Sequence, residues 1–98
     1  MLDGAYEVKA KTPLGKKKGQ VIMVTERDVC LAELTVAGKS KRLLGHIDEG
    51  YVTFEGAVHV PVYGDLNYDL TGTVRDDNLE GVCRTKKFSF EVRGTRIA

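Results

Sequence analysis

Three consecutive lysines, Lys16, Lys17 and Lys18, lie between Gly15 and Gly19 and form the densest run of charge in the chain. A phosphate-binding loop built from such residues needs a GxxxxGK pattern leading into a helix, whose first amides hold the phosphate. That pattern is missing here. A lysine-rich hairpin tip is more simply a solvated turn that discourages pairing between sheet edges. His46 and Asp48 alternate on one segment and His59 follows on the next. Two imidazoles and a carboxylate bind zinc when they converge, but nothing in this spacing forces convergence. Ser40 lies in GKSKR and Ser89 in FSF, neither in the GxSxG elbow of a serine nucleophile. Cys83 stands beside Arg84, whose charge would lower the thiol pKa, yet a catalytic thiol also needs a histidine partner. Asp76, Asp77 and Asn78 lack the EF-hand spacing and suit a tight turn. We therefore assign no catalytic residue, no metal site and no cofactor, and expect a protein that is not an enzyme.

The elements that carry these residues belong to one domain spanning residues 1–98, a length sufficient for one modest core. Fifteen basic and fourteen acidic residues leave a net charge of +1, too weak a summed field for a nucleic-acid or anionic-membrane binder. Neither partner is expected. The opening segment MLDGAYEVKAK has no apolar run resembling a signal peptide, and no stretch is apolar for the length of a bilayer. A cytoplasmic location follows as the expectation. Cys30 and Cys83, far apart and without a CxxC element, are expected to be reduced and not bonded to each other.

Apolar and polar residues alternate through almost the whole chain, with turn residues breaking the pattern every few positions, as in all-β barrels and sandwiches. The alternation predicts strands over Ala5 to Thr12, Lys18 to Thr25, Val29 to Val36, Lys39 to Ile47, Tyr51 to Val60, Asp65 to Arg75, Asn78 to Arg84 and Lys87 to Ile97. Short connections make them sequential antiparallel neighbours. The chain also repeats itself at a spacing of 48: Tyr6 falls on Phe54, Glu7 on Glu55, Pro13 on Pro61, Thr25 on Thr73, Asp28 on Asp76, Leu31 on Leu79 and Leu34 on Val82. One inserted residue then brings Gly45 onto Gly94. Two four-strand halves, about residues 4–48 and 52–97, that cannot cover their apolar faces alone must close on each other. The expected fold is a single eight-stranded antiparallel up-and-down barrel, curved by Gly56, Gly72, Gly81 and Gly94 within strands.

In the second half Val52, Phe54, Val58 and Val60 share one phase, as do Leu66, Tyr68, Leu70 and Val74, and Phe88, Phe90 and Val92. Phe54, Leu70, Phe88 and Phe90 are the expected core. The first half is apolar on both faces. Val21 and Met23 oppose Ile22 and Val24, while Leu31 and Leu34 lie on opposite faces of the next strand. If Val21 and Met23 serve the core, then Ile22 and Val24 are left outside, next to part of either Cys30, Ala32 and Leu34 or Val29 and Leu31. Such a patch predicts a homo-oligomer formed through Ile22, Val24 and neighbouring strand residues.

Taken together, the strand pattern and a few end residues resemble the calycin superfamily of lipocalins, fatty-acid-binding proteins and avidin-like proteins. Those barrels open their first strand with Gly-x-Trp, and an arginine of the last strand packs across the Trp to close one end. Gly4, Ala5 and Tyr6 look like the first element, with Tyr in place of Trp, and Arg96, or else Arg93, like the second. A TPLG hairpin also resembles that of small bacterial proteins, a likeness that brings no function with it. The calycin resemblance implies a binding module for a small apolar ligand, with Tyr6, Tyr63, Tyr68 and Arg96 as candidate ligand-binding residues. Short strands and the lack of lid loops leave an alternative open, a structural or oligomerisation module whose side chains fill the barrel.

Overall fold

The structure, a computed structural model, describes residues 2–98. Eight strands follow one another: β1 Gly4–Thr12, β2 Gly15–Glu26, β3 Val29–Val36, β4 Lys39–Asp48, β5 Tyr51–Val60, β6 Gly64–Arg75, β7 Asn78–Arg84 and β8 Ser89–Arg96. Each pairs antiparallel with the next, and β8 returns to pair with β1 as Arg96 meets Tyr6 and Gly94 meets Val8. The all-β, eight-stranded closed barrel expected from alternation is the fold observed. Strand boundaries agree to within a few residues, the largest shift being in the second strand, which starts at Gly15 rather than Lys18; in the last, Lys87 and Phe88 belong to the preceding turn.

Closure sets a single inward phase on every strand, because side chains alternate across a sheet. Tyr6 and Val8 of β1, Met23 of β2, Cys30 and Ala32 of β3, and Val52 and Phe54 of β5 make a buried cluster with Leu2. Val21, Leu34, Leu43, Ile47, Leu70, Val74, Leu79 and Val92 pack around it, partly buried. Val21 and Met23 face inward as expected, and the choice left open on β3 falls to Cys30, Ala32 and Leu34. Phe54 is a core residue, and Leu70 packs against the core, partly buried. Phe88 and Phe90 are only half-buried, and Val58, although in the inward phase, is 38% exposed. The inward phase is thus not equivalent to burial.

Inward-facing glycines let aromatic rings occupy the wall opposite them. A Cβ on Gly45 would lie 2.7 Å from Phe54 Cε1, and Gly45 is the cross-strand partner of Phe54. Gly56 stands in the same relation to Tyr68, whose hydroxyl would be 2.8 Å from an added Cβ.

Inward residues of the two halves match at an offset different from the one read in the sequence. From β2 onward the matching inward residues are one position further apart than the spacing of 48: Gly15 corresponds to Gly64, Val21 to Leu70, Cys30 to Leu79 and Gly45 to Gly94. Matching Leu31 to Leu79 pairs an outward with an inward residue, because a slip of one exchanges the faces of a strand. The additional residue sits not late in the repeat but in the β5–β6 turn. Pro61, Val62 and Tyr63 connect that hairpin, whereas Pro13 and Leu14 suffice in the first.

Candidate functional site

A meander of eight strands has two unlike ends. One carries the β2–β3, β4–β5 and β6–β7 turns together with both chain termini; the other carries the four hairpin connections β1–β2, β3–β4, β5–β6 and β7–β8. The first end is closed. Tyr6 is fully buried, and its hydroxyl donates to the Leu2 carbonyl at 2.8 Å. The Arg96 guanidinium lies over the Tyr6 ring, 5.0 Å from its centroid, and Nε donates to Asp77 Oδ1 at 2.8 Å while Nη1 donates to the Asp3 carbonyl. Asp3 in turn accepts from the Thr25 backbone at 2.8 Å. Burial pushes the Tyr6 hydroxyl pKa up against the opposing pull of the Arg96 charge. The pair expected to close a calycin-like end is therefore Tyr6 and Arg96, not Arg93, which points outward to Glu91 at 3.4 Å.

The second end is open, for a reason visible in the register. Strand β4 pairs with β5 only from Gly45 to Asp48, and β8 pairs with β1 only as far as Val92 with Ala10. Both seams between the two halves thus end short of the hairpin tips, and inward Val58 and Phe90 there are partly exposed, while Leu66 on β6 stays buried. Tyr68 is half-buried beneath Lys41, whose Nζ lies 5.6 Å from the ring centroid. Burial raises its pKa, with a smaller contribution from Cys83. At the rim Tyr63 meets Phe88 edge-on at 5.1 Å between centroids, and Phe88 stacks with Phe90 at 6.1 Å.

Where β1 and β8 part, the structure has a cleft of about 710 Å³. Ala10, Lys17 and Phe90 reach it from the inward phase, and Lys9, Lys11, Lys16, Lys18, Ser89, Glu91 and Arg93 from the outward phase, with Glu91 already 3.4 Å from Arg93. Arg93, Lys9 and Lys18 are consecutive cross-strand partners over β8, β1 and β2, and Lys11 partners Lys16 in the next row. Like charges directly opposite each other repel, so this row is a local cost that an anion would offset. Sequence inspection found Lys16 to Lys18 but missed Lys9, Lys11, Arg93 and Phe90. Only the strand register brings them together.

The four residues proposed for ligand binding do not converge. Tyr6 and Arg96 meet at the closed end, whereas Tyr63 and Tyr68 belong to the open one. The other sequence candidates also scatter. His46 pairs across β4 and β3 with Val29 near the closed end, while His59 lies toward the open end with Nδ1 2.8 Å from Asp65 Oδ1. Among the described residues no group of three or more metal-ligating side chains forms. Ser40 bonds Thr35 Oγ1 at 2.8 Å and Ser89 is exposed. Cys30 and Cys83 are free and buried, as expected. Burial pushes Cys30 up to about 11 and raises Cys83 as well. The lowering expected from Arg84 is not found, because Arg84 points outward toward Asp69 at 3.9 Å. Protonated thiols of this kind are poor nucleophiles. Asp76 and Asp77 adopt φ of 49° and 67°, the left-handed turn positions assigned to them. No described helix is long and apolar enough to cross a membrane. No protein-family model matches the chain, and no curated protein is similar to it.

Proposed function

We propose that the protein is a non-enzymatic binding module that takes a small, mostly apolar molecule carrying an anionic group at the open end of its barrel. The cleft between β1 and β8 carries this reading. Its volume of about 710 Å³ suits a small ligand, Phe90 and Ala10 supply apolar contact, and the surrounding lysines supply the counter-charge, Arg93 being already paired with Glu91. Closure of the opposite end by Arg96 over Tyr6 supports membership of a calycin-like group, in which one sealed end leaves the other for the ligand. Two free thiols support a cytoplasmic setting.

Thermal shift tests the site with a medium-chain fatty acid and its methyl ester. At about 100 times its dissociation constant the acid adds about 2.7 kcal/mol of stability, and the neutral ester adds less. Phe90→Ala reduces the shift for both compounds; replacing Lys9 and Lys18 with Gln reduces it for the acid alone. No shift with either compound refutes the proposal.

A second reading, as an assembly module, rests on a separate observation. Val24, Leu31 and Leu44 form one cross-strand row on the outer face of β2, β3 and β4, exposed by 56%, 57% and 59%, with Ile22 beside them. This row continues the homo-oligomer expectation and adds Leu44 to it.

A further inference from the structure

The net charge of +1 averages over two ends of opposite character. At the closed end the three turns carry Glu26, Asp28, Asp48, Glu49, Asp76 and Asp77 against Arg27 and Arg75. At the open end residues 12–18, 36–42, 60–65 and 84–88 hold Lys16, Lys17, Lys18, Lys39, Lys41, Arg42, Arg84, Lys86 and Lys87 against one carboxylate, Asp65, which lies 2.8 Å from His59 Nδ1. Arg42 and Arg84 have acidic neighbours in Glu33 and Asp69, whereas among the described residues no lysine forms an ion pair. The expectation that a membrane is not a partner rested on the summed charge. An end-on approach meets the predominantly basic half.

Two hairpin tips add aliphatic side chains to this basic face. Leu14 is 43% exposed at the β1–β2 tip, and Val62 is 96% exposed at the β5–β6 tip. Val62 is also strained. The Tyr63 amide donates to the Val60 carbonyl at 3.1 Å, closing a turn in which Val62 holds φ at +77°, a position suited to glycine and unfavourable for a β-branched residue. An apolar side chain held almost wholly in water, on a backbone conformation that disfavours it, gains nothing for the folded monomer and points to a use outside it. Val62 lies in the turn that is one residue longer than its counterpart in the first hairpin.

The geometry points to the open end as a docking surface for an anionic lipid bilayer, with Leu14 and Val62 entering the headgroup boundary and the surrounding lysines engaging lipid charges. Aliphatic insertion plus a basic collar is the combination that holds a protein on such a surface. A single-stranded nucleic acid shares the charge but needs free aromatic faces, and here Tyr63, Phe88 and Phe90 pack on one another. This docking does not require the cleft to hold a ligand.

Co-sedimentation of the ligand-free protein with vesicles tests the surface, using phosphatidylcholine alone or mixed with phosphatidylserine, at low and raised salt. Binding to the mixed vesicles that salt weakens, with none to phosphatidylcholine alone, is the expected result. Lys16→Gln, Lys17→Gln and Lys18→Gln together should weaken it about a hundredfold, at about fivefold per lysine. Val62→Gly should weaken it about tenfold through lost apolar contact while leaving the protein at least as resistant to urea, because the turn strain is relieved. A structural role for Val62 predicts the opposite in urea. No binding to the mixed vesicles at low salt, or binding that Val62→Gly leaves undiminished, overturns the proposal. So does tighter binding to single-stranded DNA than to the mixed vesicles.

Discussion

Replacing Arg96 with Met tests how the barrel is sealed, since Met keeps much of the aliphatic stem and removes the guanidinium. Three interactions go with that charge. The contact with the Tyr6 ring at 5.0 Å is partly shielded, as the Arg96 side chain is only 24% exposed, and is worth about 1 kcal/mol. The bond to the Asp3 carbonyl is a charged donor on a part-buried acceptor, worth about 1.5 kcal/mol. The pair with Asp77 at 2.8 Å counts for about 0.5 kcal/mol, because Asp77 is 71% exposed and water screens it. Arg96→Met should therefore cost about 3 kcal/mol, a large share of a typical domain stability, and lower Tm by at least about 12 °C. Urea unfolding monitored by circular dichroism measures the loss. A double-mutant cycle with Tyr6→Leu isolates the ring contact, with an expected coupling of about 1 kcal/mol. A cost below about 1 kcal/mol, or a coupling indistinguishable from zero, would show that the ring and guanidinium are merely adjacent and that the end is sealed by backbone alone.

Core position is checked by comparing Phe54→Ala with Phe90→Ala: the buried ring should cost about 3 to 5 kcal/mol and the half-buried rim ring clearly less. Equal losses in urea unfolding would mean that the open end is as well packed as the closed one. Both thiols should be slow to react with Ellman's reagent in the native protein and count two per chain once it is unfolded. Since Cys30 is raised from 9.0 to about 11, the unfolded thiol ionises first, so stability is full below pH 9 and falls as pH rises toward 11. A urea midpoint that stays constant across that interval contradicts the burial of the thiol. For the outer row, light scattering at micromolar concentration should find a dimer or higher symmetric oligomer that Leu31→Glu disrupts; a native monomer rules out that interface.

Alternation with a period of two, short turns and an internal repeat were enough to specify the barrel, because each strand of a closed sheet has one face to bury and hairpin connections leave little choice of neighbour. The sealed end was legible as well. The resemblance to calycin barrels pointed to Tyr6 with Arg96, although it left Arg93 as a competitor. The phase of the repeat was harder to read. Leu31, Leu34, Leu79 and Val82 are all apolar, so a one-residue slip leaves the hydrophobic pattern intact, and only pairing across neighbouring strands shows which of them face inward. Depth along the barrel axis was invisible for a related reason. Phe54 and Phe90 share the inward phase, but burial of each depends on how far the β4–β5 and β8–β1 seams extend, which no local pattern records. The candidate site depended on tertiary structure for its assembly. Lys9, Lys18 and Arg93 are scattered in sequence and become one row only through the register of three strands, and the separation of acidic from basic turns appears only when alternate connections are sorted to opposite ends. Composition sums charge over the chain, whereas a partner meets the charge of one surface.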